Sequence, residues 1–464
     1  MSTQVETVPL DVEKIERAIE AGEPDPVRIR ETLAKARELH GLDEDDVACL
    51  AMVTEPELLA ELFETARWVK NEIYGRRMVL FAPMYVSNLC YNECVYCAFR
   101  RANTTVRRRV LTQEEVARET RVLIDQGHKR VLVVAGEAYP DEGLNYIHKC
   151  IETVYSVKHG DGEIRRINVN IAPLTVEEFK ELKADKIGTY QIFQETYHRP
   201  TYQSVHLSGK KRDYDWRITA LDRAMMAGID DVGTGVLFGL YDWRFEIMAI
   251  MQHAAHLEAR FGVGPHTISV PRIEPATGSA FSEHPPYAVS DDDFRKIIAI
   301  LRCAVPYTGM ILSTREQPDM RREALALGIS QISAGSRTNP GGYAENEDYD
   351  ASQFSLGDHR PLDEVIRDIA EHGYIPSFCT GCYRMGRTGQ DFMDLAKPGL
   401  IKAFCNVNAL STFAEYLKHY ASPETRLVGE QCIAAALAEM PESARRKAQD
   451  MIDRVYAGER DVYV

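Results

Sequence analysis

The 464-residue sequence has no apolar run near the ~18–20 residues that a membrane-spanning helix needs. Its first residues, MSTQVETVPLDVEKIE, lack the basic, apolar, small-residue order of a signal peptide. Low-complexity segments and short internal repeats are missing too. These absences argue against a helical membrane protein and a repeat array, and they predict a cytoplasmic chain. Excess positive charge is also lacking: 55 Lys and Arg face 70 Asp and Glu, for a net charge of −15. That balance predicts no nucleic-acid partner and no membrane partner, while leaving room for a local basic patch. Cysteine is sparse, at ten residues. This suits a reducing compartment, where clustered thiols bind metal rather than pair. An apolar fraction of 45 % still suffices for a sizeable core.

Hydrophobic periodicity divides the chain in three. Residues 1–77 read as an N-terminal helical extension, with apolar residues at helical spacing over Ile15–Ile19, Val27–Leu39 and Glu57–Ile73. Residues 78–374 alternate between strand-like and helix-like runs. The strand-like runs are Met78–Val86, Arg130–Val134, Ile167–Ile171, Thr189–Phe193, Asp231–Leu237, Thr267–Val270, Met310–Ser313 and Gln331–Ser333. Eight such units predict an α/β fold, a TIM-type (β/α)8 barrel, with a doubly wound open sheet as the alternative. Residues 375–464 break the alternation and read as a C-terminal helical appendage, with helical runs at Ala409–His419, Gln431–Leu437 and Arg445–Tyr456.

Chemistry concentrates in Cys90, Cys94 and Cys97, just past the first strand-like run. A barrel carries its site at the C-terminal ends of its strands, so this placement agrees with the barrel. Three thiolates packed so closely call for a soft metal centre. Zinc usually takes four ligands in two pairs, and no second nearby pair exists here. A 4Fe-4S cluster held by three thiolates keeps one iron open. A second set follows in the appendage: Cys379, Cys382 and, after 22 intervening residues, Cys405. It again suits a cluster with an open iron, with zinc and a distant fourth ligand as the alternative. Cys49, Cys150, Cys303 and Cys432 sit in helix-like apolar stretches and read as core.

The C-x3-C-x2-C spacing, with Tyr96 just before the last cysteine, resembles the radical S-adenosylmethionine (SAM) superfamily. The resemblance implies that SAM chelates the open iron and is cleaved to a 5′-deoxyadenosyl radical. Ala135-Gly136-Glu137 is similar to the Gly-Gly-Glu motif that binds the SAM amino group, with alanine in place of the first glycine. Glu137 could otherwise be an exposed turn residue. Gln194 and Glu195, in a Gln-Glu-Thr-Tyr run, resemble residues that face SAM in aromatic amino-acid lyases; a polar rim loop is the other reading. The glycine-rich stretch 232–240 allows close approach of backbone to a flat ligand, or close strand packing.

Cys-x2-Cys-x22-Cys after such a barrel resembles the HydG family, the tyrosine lyases of iron-iron hydrogenase maturation, over nearly the whole chain. Cys379-Thr-Gly-Cys-Tyr-Arg-Met-Gly-Arg-Thr-Gly389, Gln194-Glu-Thr-Tyr-His-Arg-Pro-Thr-Tyr202 and Gly264-Pro-His-Thr-Ile-Ser-Val-Pro-Arg272 carry the likeness. The sibling ThiH family shares the first motif and lacks the second cysteine set. This resemblance implies cleavage of the Cα–Cβ bond of L-tyrosine to p-cresol and dehydroglycine. Dehydroglycine then becomes carbon monoxide and cyanide at the second cluster, giving an Fe(CO)2(CN) synthon. It further implies two 4Fe-4S clusters and SAM. An additional labile iron, bridged by free L-cysteine at the C-terminal cluster, is expected with His266 as a ligand. Hydrogenase maturation proteins and an external electron donor are the implied partners. His266 at a strand start could equally be structural. A tyrosine carboxylate favours a bidentate guanidinium, for which Arg315 is the first candidate and Arg272 the second, with Ser336 in support. A two-cluster electron carrier is the remaining alternative, and it has no need of a 300-residue barrel.

Overall fold

The computed structural model describes residues 7–21, 25–139, 142–345 and 351–464. Eight parallel strands form the barrel: β1 (Arg77–Ser87), β2 (Arg130–Ala135), β3 (Arg166–Asn170), β4 (Tyr190–Gln191), β5 (Val232–Gly235), β6 (Thr267–Ser269), β7 (Gly309–Leu312) and β8 (Gln331–Ser333). Each pairs with the next, and β8 returns to β1 through Val79↔Gln331, Leu80↔Ile332 and Phe81↔Ser333. That last pairing closes the barrel and excludes the doubly wound sheet. All eight strand-like runs of the sequence are barrel strands.

Local chemistry explains many of the helix starts between them. Thr112 with Glu115, and Thr175 with Glu178, form capping boxes at Gln113–Asp125 and Val176–Ala184. Ser290 caps Asp291–Ala304, whose first turn is triply acidic and complements the helix dipole. The N-terminal region holds four helices among the described residues, one more than its periodicity suggests. The additional one, Glu44–Ala51, is short but carries its own capping box, Asp43 with Asp46. The last of the four, Pro56–Tyr74, packs against the barrel helices Asp291–Ala304 and Pro318–Leu327 and against Ile401–His419 of the C-terminal region.

A ninth strand, β9 (Ile375–Ser377), pairs parallel with the start of β1 through Arg77↔Ile375 and Val79↔Ser377. The C-terminal region therefore begins as part of the sheet, not as a helical appendage alone. Its main helix, Ile401–His419, starts eight residues before the run Ala409–His419 and is buried around most of its circumference. A helix apolar on all sides has no 3.6-residue stripe to read. Among the described residues, no helix is long and apolar enough to cross a membrane.

Candidate functional site

The β1–β2 register shifts between Tyr85 and Ser87, a bulge that turns the chain out of the barrel into the cysteine loop. Cys90, Cys94 and Cys97 all line the cavity over the C-terminal ends of the strands. A second segment braces the loop. Glu93 N donates to Ser208 O (3.1 Å), Leu207 N to Glu93 O (2.9 Å) and Val95 N to Val205 O (3.0 Å). Cys97 Sγ accepts from Phe99 N at 3.4 Å and from Gln353 Nε2 at 3.8 Å. Burial pushes all three thiols up, Cys90 to about 11. The bare sulfurs therefore stay protonated, and metal binding must release those protons. Among the described residues, no three His, Cys, Asp or Glu side chains converge on a single ion. A polynuclear cluster instead takes each thiolate on a different iron.

Tyr96 is buried, and its ring lines the cavity. Its hydroxyl meets His206 Nε2 at 2.8 Å, while His206 Nδ1 meets the Tyr202 carbonyl at 2.8 Å. With Nδ1 donating to that carbonyl, Nε2 is left to accept from the tyrosine. Gly136 abuts the loop so closely that a Cβ would lie 2.2 Å from Leu89 O. Ala135 accommodates its Cβ and lines the cavity, so alanine is sterically tolerated where the motif has its first glycine.

Glu137 is not an exposed turn residue. It sits in the cavity wall, held by Arg217 Nη1 at 2.5 Å and Asn92 Nδ2 at 2.6 Å. Burial opposes its ionisation, but the charges of Arg217 and Lys211 outweigh it and hold the carboxyl below its ordinary range. Glu195 joins the same network through Lys211 Nζ at 2.6 Å and Arg217 Nη2 at 3.5 Å. Its φ is +69°, uncommon for a residue with a side chain. Glu246, on the helix Trp243–Phe261, holds this turn by accepting from Tyr197 N (2.8 Å) and the Thr196 hydroxyl. Burial raises Glu246 to about 8.

Three expectations need correction. Strand alternation turns Gln191, Phe193 and Glu195 into the cavity and Gln194 away from it, buried with its Nε2 unpartnered. Arg272 is committed to Glu316 and, at 2.8 Å, to Asp291, so it has no open face for a carboxylate. Ser336 is buried but does not line the cavity. Arg315, by contrast, does line it. Its guanidinium stacks 3.3 Å over the Phe354 ring, with one weak bond to the Arg272 carbonyl at 3.4 Å. Among the described residues it makes no ion pair. Glu274 shares this cavity and is raised by burial, and by Glu316, to about 7. The β5 glycines serve packing: a Cβ on Gly233 would strike Thr267 Oγ1, and one on Gly235 the Ser269 carbonyl.

Lys211, Arg217 and Glu246 are the functional groups that sequence reasoning missed. Each lies in a helical or turn segment with no motif of its own, and only folding brings it to the carboxylates.

The second thiol set lies at the opposite mouth of the barrel. Gly389 N donates to Asp231 Oδ1 (3.2 Å), Tyr383 OH meets Thr189 Oγ1 (3.2 Å), and the Phe392 ring packs on His266 at 4.4 Å. These contacts seat the segment carrying Cys379 and Cys382 against the N-terminal ends of β4–β6. Burial raises Cys382 to about 12, with the neighbouring Cys405 and Cys379 adding to the shift. Cys379 Sγ accepts from Gly381 N at 3.3 Å. His266 is largely buried, and desolvation lowers its pKa and favours the neutral ring. Its Nδ1 lacks a hydrogen bond, with Asp231 Oδ1 3.5 Å away. Arg77 and Arg130, which open β1 and β2, are buried here without a carboxylate partner among the described residues.

Residues 84–253 match the Radical SAM superfamily model, and residues 269–375 match the Biotin and Thiamin Synthesis associated domain. With the closed barrel and its thiol loop, these define a radical SAM enzyme, a class that implies a 4Fe-4S cluster and SAM. The residues fit both: three thiols face one cavity, and Gly136 and the carboxylate of Glu137 line the wall beside them. The chain is 31 % identical to 2-iminoacetate synthase of Escherichia coli (strain K12), over 75 % of its own length and 90 % of that protein. A crystal structure of HydG, a maturase of the FeFe-hydrogenase, superposes with a TM-score of 0.95. It is 50 % identical, with 98 % of this chain and 99 % of that one covered. HydG from Carboxydothermus hydrogenoformans gives a TM-score of 0.83 at 41 % identity, covering 95 % and 97 %. The chain belongs to the HydG family.

Proposed function

We propose that this enzyme cleaves the Cα–Cβ bond of L-tyrosine to p-cresol and dehydroglycine. Dehydroglycine then yields carbon monoxide, cyanide and water at a second cluster, and the diatomic ligands build an iron synthon for a hydrogenase. The observation that carries the reading is the placement of two thiol triads at opposite mouths of one barrel. SAM bound at a reduced cluster supplies the radical that removes hydrogen from the substrate. The chain's own groups then have definite tasks. Arg315 holds the substrate carboxylate, and Phe193, Phe354 and Tyr85 enclose its ring away from water. The Glu137–Arg217–Glu195–Lys211 network fixes the cavity wall against which SAM is oriented. Below, the unpaired guanidiniums of Arg77 and Arg130 attract the dehydroglycine carboxylate toward Cys379, Cys382 and Cys405. His266, neutral and with Nδ1 unbonded, would be suited to hold a labile iron beside that cluster.

The likeness to 2-iminoacetate synthase favours a second reading, in which catalysis stops at dehydroglycine. The two separate in one tube of anaerobically reconstituted protein with SAM, L-tyrosine and a strong reductant. Carbon monoxide is trapped on deoxyhaemoglobin and p-cresol quantified alongside. Carbon monoxide with p-cresol, and its selective loss in Cys379→Ser or Cys405→Ser, is the expected result. p-Cresol alone from fully iron-loaded protein would establish the second reading. His266→Ala should keep p-cresol formation while losing iron and synthon; unchanged iron stoichiometry would sink that assignment.

A further inference from the structure

We propose that the outer surface of the Cys90–Cys97 loop is the docking face for an acidic, low-potential one-electron carrier protein. The inference deepens the function proposed above, since the cluster in this loop must be reduced for every radical it generates. Tyr91, the residue after Cys90, is 62 % exposed, and Leu207, paired to Glu93, is 50 % exposed. The two stand on segments joined through Glu93, and they supply the apolar surface of the proposed contact.

Around them the charge inverts. Arg101, Arg107, Lys210 and Arg212 are exposed, and none has a carboxylate partner among the described residues. The surface is continuous. Arg101 N donates to Asn92 O (2.9 Å), Lys211 N to Asn92 Oδ1 (3.0 Å), and the Glu93–Ser208 bonds join the two segments. Nearby carboxylates do not cancel it. Glu93 is turned inward to Arg100 (2.8 Å) and Ala102 N, and Asp213 caps a helix through Trp216 N. A chain of net charge −15 thus shows an unpaired basic rim around an apolar centre over its redox loop. A basic rim of this kind steers an acidic partner, and the apolar centre gives it a dry contact. Because electron transfer falls steeply with distance, a carrier must come to this loop.

The test uses reconstituted holoenzyme and a reduced acidic ferredoxin as probe. Anaerobic stopped-flow absorbance reads cluster reduction, and calorimetry reads binding to holo- and metal-free protein across a salt series. The variant Arg101→Glu/Arg107→Glu/Lys210→Glu/Arg212→Glu should lose ferredoxin affinity and reduction rate by roughly tenfold or more. Its p-cresol yield with dithionite should be unchanged, showing it folded and competent. Tyr91→Ala should weaken binding without altering the salt dependence. Wild-type reduction rates in the charge-reversed variant would overturn the proposal, as would tighter binding of duplex DNA than of ferredoxin to this face. If dithionite gave no p-cresol in the wild type while ferredoxin still reduced the cluster charge-dependently, the functional reading would fail and the docking face would stand.

Discussion

Gly136→Ala tests how the end of β2 sets the position of the cluster loop. The backbone φ at this residue is not in the left-handed region, so alanine is conformationally acceptable and the only obstacle is space. An added Cβ would meet Leu89 O at 2.2 Å and Leu89 C at 2.9 Å, where ordinary contact begins near 3.4 Å. The shortfall is about 1.2 Å, and it falls on backbone one residue before Cys90, not on a flexible side chain. Overpacking of this kind costs about 1–3 kcal/mol. Its effect on chemistry should be larger, because displacing a reacting group by ~1 Å can slow a reaction on the order of 10²-fold. The expected outcome is reduced iron retention at the first cluster, with p-cresol formation down about a hundredfold. Ala135→Gly, which removes an accommodated methyl, should stay within about twofold. Iron per chain and the initial rate of p-cresol formation, both measured anaerobically, decide the matter. A Gly136→Ala protein with full iron and p-cresol within twofold of wild type would refute the reasoning.

Glu137→Ala leaves the buried Arg217 short of its main partner and should cost about 3–5 kcal/mol, part of it recovered in Glu137→Ala/Arg217→Met. Strict additivity in chemical denaturation would show that the pair is uncoupled. Arg315→Lys exchanges a planar fork for a point charge, so KM for tyrosine should rise on the order of 10-fold or more with SAM binding unchanged; an unaltered KM would remove Arg315 from the substrate site. Glu274, raised by burial to about 7, binds more protons folded than unfolded between its ordinary pKa and 7. Stability should therefore fall as pH rises through that window, and Glu274→Gln should flatten the slope. Equal slopes in denaturant titrations of metal-free wild type and variant would contradict the assignment.

Legibility followed physical range. The barrel strands could be read because each is a short apolar run bounded by helical periodicity, a signal carried within ten residues. The capping boxes at Thr112 and Thr175 are equally local. Gln194 was misplaced because a motif match fixes which residues occur and not which face of the strand they take; alternation with Gln191 and Phe193 settles that. Arg272 read as a binding residue because a guanidinium at a strand end looks alike whether free or paired, and Glu316 lies 44 positions away. The β5 glycines show the same limit: their necessity comes from Thr267 and Ser269 on the neighbouring strand.

What the sequence determined by itself is the chemistry: two thiol triads with fixed offsets, one after a first strand, and enough alternating units to surround a cavity. Spacing of ligands along one loop is a local property, and so is the period of a strand or helix. Tertiary structure alone decided closure, through β8 returning to β1 across some 250 residues. It also brought Lys211 and Arg217 to Glu137 and Glu195, and set the Cys379 segment against the strand starts opposite the Cys90 loop. These depend on pairings between distant parts of the chain, whose strength comes from burial and charge compensation that no single segment carries.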